Sequence, residues 1–275
     1  MIKEYDIILK LVQRYDYSGA LEIMNDQDLD TSSAAILMDS CRYAINFDFI
    51  TAKKLLRTLP SDFQKEPDIR WLKENLRDLI AGEIEPVFSE LIENILFKIV
   101  NQEYIDFLGR VNRCREAIFK YMFVKKHINR NQFNFHVDVM QKRTILKMLR
   151  KQYRIFNNNL VFGISSYINH NMKVDYKYSE VEKILNGSKM GDLIEMRNDS
   201  IVGHGFIGVG KEDIYKVYGN PYWVIDDFKT CLSLLDLDID SRKYDRINLL
   251  IVHELELMRI ANSPSYHKNK NFIFE

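Results

Sequence analysis

Arg197 and His204 are the residues of this chain best suited to chemistry at a phosphate. Six residues separate them, Asn198 follows the arginine directly, and Gly203 and Gly205 flank the histidine. On a continuous helix seven positions turn through about 700°, which returns both side chains to nearly the same face, roughly 10 Å apart along the axis. A guanidinium and an imidazole so placed meet at a single phosphate. An imidazole is a general base or acid near neutrality. A planar guanidinium fork suits the charge that builds on non-bridging oxygens. The chemistry this suggests is at a phosphodiester, without a metal. Asn198 is expected to orient the arginine or the phosphate, and Ser200 to contact the substrate. No cofactor is implied, and no Asp/Glu/His cluster converges in sequence as a metal set.

The spacing alone is weak. With sixteen arginines and six histidines, gaps of four to six residues produce about one such pair by chance. Two others exist. Arg130-Asn131 precedes His136 within an asparagine-rich stretch that reads as a connection. Arg246 precedes His253 across Ile247, Leu249, Leu250, Ile251 and Val252, which reads as a buried terminal helix with His253 as a core or interface residue. At Arg197 the following asparagine, Ser200 and the two glycines make room for backbone or substrate near the imidazole. A helix C-cap is the competing account of the same residues.

The elements that must position this pair read as helices. The chain has 275 residues, 46% of them hydrophobic, with five prolines, eleven glycines and a formal net charge of zero. It can bury a full core in one large or two small domains, and it carries no global field for a polyanion. Cys41, Cys114 and Cys231 lie far apart without metal-ligand spacing, which fits small buried hydrophobes in a reducing cytoplasm. No secretory core and no run of about 18 apolar residues occurs, so no membrane span is expected. With no strong alternating pattern, the expected class is all-α. The tail Asn271–Glu275 adds at most a short strand.

An internal repeat marks the first third. Tyr15–Met24 matches Phe47–Leu56 at an offset of 32 residues: an aromatic-Asp-aromatic turn opens each helix, with Asp16 and Asp48 as N-caps and Ala20 and Ala52 allowing close approach. Residues 1–101 are therefore expected to form a tetratricopeptide-like helical-hairpin spacer, and 102–275 a second helical domain. Pro67 and Pro86 start further helices. Tyr104–His127 is a long amphipathic helix with Ile105, Leu108, Val111, Cys114, Ile118, Tyr121 and Met122 near one stripe. Helices then run to about Asn171, from Tyr178 to a stop at Asn186-Gly187, and from Met190 or Gly191 through the motif, with Leu193, Ile194, Ile201 and Val202 facing the core. Gly205-x-x-Gly208-x-Gly210 follows a helix, so it is not a dinucleotide loop. Two helices close the chain, Tyr222–Leu237 and Arg246–Ala261.

Between Arg110 and Arg154 thirteen basic residues face only Glu116 and Asp138, a net of +11. Tyr121, Phe133, Phe135, Tyr153 and Phe156 are interleaved. Basic residues track phosphates and aromatics stack bases, so single-stranded RNA is the expected partner, with Arg110, Arg113, Lys147, Arg150 and Lys151 as contacts. A solvated helix face with core aromatics, balanced by the acidic C-terminal part, explains the same pattern.

The run Leu193-Ile-Glu-Met-Arg197-Asn198-Asp-Ser200-Ile-Val-Gly-His204-Gly205-Phe206 resembles the R-x(4–6)-H signature of HEPN-domain ribonucleases, more narrowly the accessory ribonucleases of type III CRISPR systems. Asp106–Tyr121 is similar to the opening helix of that domain, and the preceding hairpins are similar to the spacer in the same proteins. The resemblance implies a HEPN helical bundle over 102–275, a homodimer with a composite site, single-stranded RNA as substrate, and a role in antiviral defence. The mechanism expected with it is transesterification within RNA, in which the ribose 2′-OH attacks phosphorus, the 5′-oxygen leaves, and a 2′,3′-cyclic phosphate remains. That family carries an N-terminal Rossmann-like sensor. No alternating βα units precede the helices here, so cyclic oligoadenylate is implied as a partner only if a sensor domain is supplied elsewhere. Asp199 places an acid where some relatives have a basic residue. Two other readings compete: a non-catalytic helical module binding RNA, nucleotide or a protein partner, and the toxin of a toxin–antitoxin pair.

Overall fold

The computed structural model describes residues 2–127 and 141–261. Among them the fold is all-α, with fourteen α-helices and a short 3-10 turn at Phe63–Lys65. Among the described residues no strand is present beyond one isolated bridge between Ser200 and Ile207. None of these helices is long and apolar enough to cross a membrane. The Arg130/His136 pair, Phe133, Phe135 and the Asn271–Glu275 tail lie outside the described residues.

The chain divides into two compact units, Met1–Ile80 with Arg242–Glu275, and Ala81–Ser241. The first contains α1 (Ile2–Gln13), α2 (Tyr17–Asn25), α3 (Ser33–Ile45), α4 (Phe49–Leu55) and most of α5 (Pro67–Ala81), completed by the terminal helix, here α14 (Lys243–Ala261). The repeat is structural. Asp16 accepts from the Gly19 amide at 2.9 Å and Asp48 from the Thr51 amide at 3.0 Å. The aromatic before each cap, Tyr15 and Phe47, takes a left-handed φ of 60° and 64°. Ala20 and Ala52 are fully buried, so successive helices pack closely. α14 closes this unit against α1 and α3. Tyr17 donates its hydroxyl to Asn248 Oδ1 at 2.7 Å, and Asn248 Nδ2 donates to the Val12 carbonyl at 2.9 Å. This long-range closure is why the terminal helix, expected within 102–275, belongs to the first unit.

The second unit starts one helix earlier than expected, because α6 (Ile84–Val100) buries Phe88, Ile92, Ile95 and Ile99 in the same core as α7 (Tyr104–His127). Phe88 meets Tyr121 edge to face, ring centroids 5.9 Å apart. α7 is the axis of this unit and packs against α6, α9 (Leu160–Asn171), α11 (Ser188–Asp199) and α13 (Tyr222–Leu234). α8 (Lys142–Tyr153), α10 (Tyr176–Leu185) and α12 (Lys211–Val217) complete it. The three cysteines are buried thiols. Burial pushes the Cys114 and Cys231 thiols up, so both behave as core hydrophobes.

Candidate active site

The element that positions the Arg197/His204 pair is a helix that stops. α11, expected to run through the motif, ends inside it at Asp199, and Ser200 turns to extended backbone at φ −89°, ψ 173°. The chain then doubles back on the last turn of the helix it has just left. The Gly203 amide donates to the Ser200 carbonyl at 2.9 Å, the His204 amide to Asn198 at 2.8 Å, and the Ile207 amide to Asp199 at 2.9 Å. Carbonyls that a helix C-terminus leaves without partners are thereby satisfied. The two glycines permit this approach. A Cβ on Gly203 would sit 2.4 Å from the Asn198 carbonyl oxygen, and one on Gly205 would sit 2.0 Å from that of Asp199. Their space is thus taken by backbone.

Arg197 and His204 are therefore not aligned by helical periodicity; a folded-back turn carries the histidine. The placement of Ile201 and Val202 in the core is corrected as well: Ile201 is exposed and Val202 half-buried near Gly109 of α7. Ser200, expected to contact RNA, is fully buried, and its hydroxyl donates to the Arg197 carbonyl at 2.8 Å. It is a strut of the turn.

Arg197, Asn198 and His204 line one cleft of about 1100 Å³. Arg197 is half-buried, while Asn198 and His204 are exposed. Arg197 Nη1 donates to Asn198 Oδ1 at 3.2 Å. Its Nε is buried without a hydrogen-bond partner. Such an orphaned donor costs roughly 1–3 kcal/mol until something accepts from it.

Further lining comes from residues that sequence reasoning did not single out as site residues. α7 supplies Asn112, Arg115 and Glu116, α8 supplies Lys142, and α9 supplies Phe162 and Ser165, with Asn186 following α10. Arg115 is 92% removed from solvent by its 8% exposure. Its Nε donates to the Leu185 carbonyl at 2.7 Å and its Nη2 to Asn186 Oδ1. Asn186 Nδ2 in turn donates to Glu182 Oε1 at 2.7 Å and to Ser165 Oγ at 3.1 Å. Burial lowers the Arg115 guanidinium to about 10, with Glu182 opposing the shift, so it remains a cation at neutral pH. The signal for it was present: Arg115 follows Cys114 and precedes Ile118 by three positions, on the apolar side of α7, where a charge needs a reason.

Arg110, Arg113, Lys147, Arg150 and Lys151 do not line this cleft. Arg113 pairs with Glu116 at 3.5 Å, and Arg150 donates to Asn158 at 2.7 Å. Lys147 and Lys151 are exposed on α8, and Arg110 is half-buried on α7. Within the cleft, Arg115, Lys142 and Arg197 face Glu116, Glu195 and Asp199, a local balance of charge. Among the described residues no three His, Cys, Asp or Glu side chains converge as a metal-binding group. No protein-family model, curated protein or solved structure matches the chain.

Proposed function

We propose that this protein is an endoribonuclease that cleaves single-stranded RNA by metal-independent transesterification, as the HEPN resemblance implies. The observation that carries the proposal is that three groups line one cleft: an exposed imidazole, an arginine with an orphaned buried donor, and the asparagine that holds that arginine. A phosphate oxygen accepting from Arg197 Nε would relieve the buried donor's cost. His204 moves a proton while the bond from the 2′-oxygen to phosphorus forms and the bond to the 5′-oxygen breaks. Arg197 stabilises the charge on the non-bridging oxygens.

Efficient cleavage wants a base and an acid together, and one chain offers one histidine here. Ile201, Phe206 and Ile207 stand exposed around the turn, Phe206 at 92%. A two-fold related copy seated on these side chains would cover them and bring a second Arg197/His204 pair to the groove. The biological role consistent with the resemblance is RNA degradation in type III CRISPR antiviral defence.

A second reading, binding without catalysis, draws on the carboxylates of Glu116, Glu195 and Asp199 in the cleft, which oppose the build-up of charge on a reacting phosphate. One experiment separates the two. Labelled RNA is incubated with the protein in excess EDTA. Cleavage to 2′,3′-cyclic phosphate ends by wild type, lost in His204→Ala, supports the nuclease. Metal dependence, or undiminished cleavage by the variant, removes it.

A further inference from the structure

Among the described residues lining the cleft, Phe162 is the one large apolar side chain that stands exposed, at 59%. It lies in the first turn of α9, where Asn159 Oδ1 already accepts from the amides of Val161 at 3.0 Å and Phe162 at 3.3 Å. The backbone there is spent, so what this position offers the cleft is an aromatic surface. Arg115 offers the complementary chemistry. Its carbonyl and amide partners hold the guanidinium in place and engage two of its five N–H donors. The rest of a pre-oriented fork is left for a ligand in the cleft it lines.

A cleft of about 1100 Å³ is larger than one phosphate requires and is in the range that holds a whole small ligand. Glu195 and Asp199 on its wall disfavour a long polyanionic track. An aromatic platform with a fixed guanidinium suits one base and one phosphate.

We infer that the cleft holds one unpaired nucleotide next to the scissile linkage, its base stacked on Phe162 and its phosphate gripped by Arg115. The substrate is then RNA that presents an unstacked base and two consecutive phosphodiesters, and a duplex is excluded because its bases stay stacked on each other. The identity of the reacting phosphate rests on the proposed nuclease reading; the binding does not.

The test uses the full chain and a fluorescein-labelled 2′-O-methyl RNA hexamer, whose blocked 2′-oxygen cannot attack, with affinity read by anisotropy. Phe162→Ala is expected to weaken binding at least about fivefold, and Phe162→Trp to stay within about twofold of wild type. Tyr176→Ala, at an exposed aromatic outside the cleft lining, is expected to change nothing. Because the Phe162 ring is largely exposed, its removal leaves the fold intact, which circular dichroism checks. The inference is overturned if wild type does not bind the hexamer, if Phe162→Ala binds as wild type does, or if a duplex of the same sequence competes as well as the single strand. Phe162-dependent binding without cleavage of unmodified RNA sinks the nuclease reading and leaves this one standing. Equal KM for cleavage by wild type and Phe162→Ala does the reverse.

Discussion

Two stretches of this protein place an arginine seven residues before a histidine, and their surroundings are opposite. Along α14 the helix is unbroken from Lys243 to Ala261. Arg246 donates from Nε to Asp68 Oδ1 at 2.6 Å and lies 4.3 Å over the Trp71 ring, so its charge and its flat face are both engaged. His253 follows two turns on, exposed rather than buried as its apolar neighbours suggested. In the α11 stretch the helix stops, glycines let the chain return, and the guanidinium keeps a donor without a partner. The same spacing therefore yields a structural clamp in one place and a buried donor without a partner in the other. What separates them is where the helix ends.

The largest expected effect tests that contrast at the histidines. His204→Ala should lower the RNA cleavage rate by about 10²- to 10⁴-fold, the usual span for losing a positioned acid or base. His253→Ala should leave it unchanged. Initial rates on labelled RNA with EDTA decide this, and equal losses would erase the distinction between the two stretches.

Next comes the turn itself. Gly205→Ala drives a Cβ to 2.0 Å from the Asp199 carbonyl oxygen, so the returning chain must move away from the helix end. A cost of roughly 1–3 kcal/mol is expected from the forced backbone shift, with loss of cleavage as His204 is displaced. Denaturant unfolding reads the first and the RNA assay the second. A fully stable, fully active variant would mean that the turn does not position the histidine.

The arginines should differ in stability. Arg246→Ala removes a partly exposed ion pair and a ring contact, worth about 1 kcal/mol together. Arg197→Ala removes a buried donor that lacks a partner, and it should be neutral or slightly stabilising. Thermal melts of the two variants side by side make the comparison. If Arg197→Ala destabilises more than Arg246→Ala, the Arg197 guanidinium is structural.

Much of the helical frame was legible because its signals are local. Apolar periodicity located α7 from Tyr104 to His127, and the aromatic-Asp-aromatic repeat marked two caps that the side chains of Asp16 and Asp48 do form. What was not legible depended on contacts between distant segments. Nothing near Asn248 announces that its amide meets Tyr17 and the Val12 carbonyl, so the terminal helix was read as part of the second domain. The stop at Asp199 was missed because Ser200-Ile201-Val202 continues an apolar pattern, whereas the competing fold-back is held by Gly203 and Gly205 further along. Charge density along a helix does not say which cation reaches a cleft; among the described residues of the basic stretch, Arg115 and Lys142 line it.

The smallest effect tests whether glycine as such matters near this cleft. Gly191 lines the same cavity as His204 but lies inside α11, and a Cβ built there meets nothing within 4 Å. Its backbone is helical, so alanine removes conformational freedom from the unfolded chain without strain in the folded one. Gly191→Ala should therefore stabilise by about 0.5–1 kcal/mol, a rise of roughly 1–4 °C in the melting temperature for a unit of this size. Cleavage should be unchanged. Were Gly191→Ala to abolish cleavage while raising stability, the wall of α11 beside it would be pressed against substrate, and the cleft would be filled more tightly than one stacked nucleotide requires.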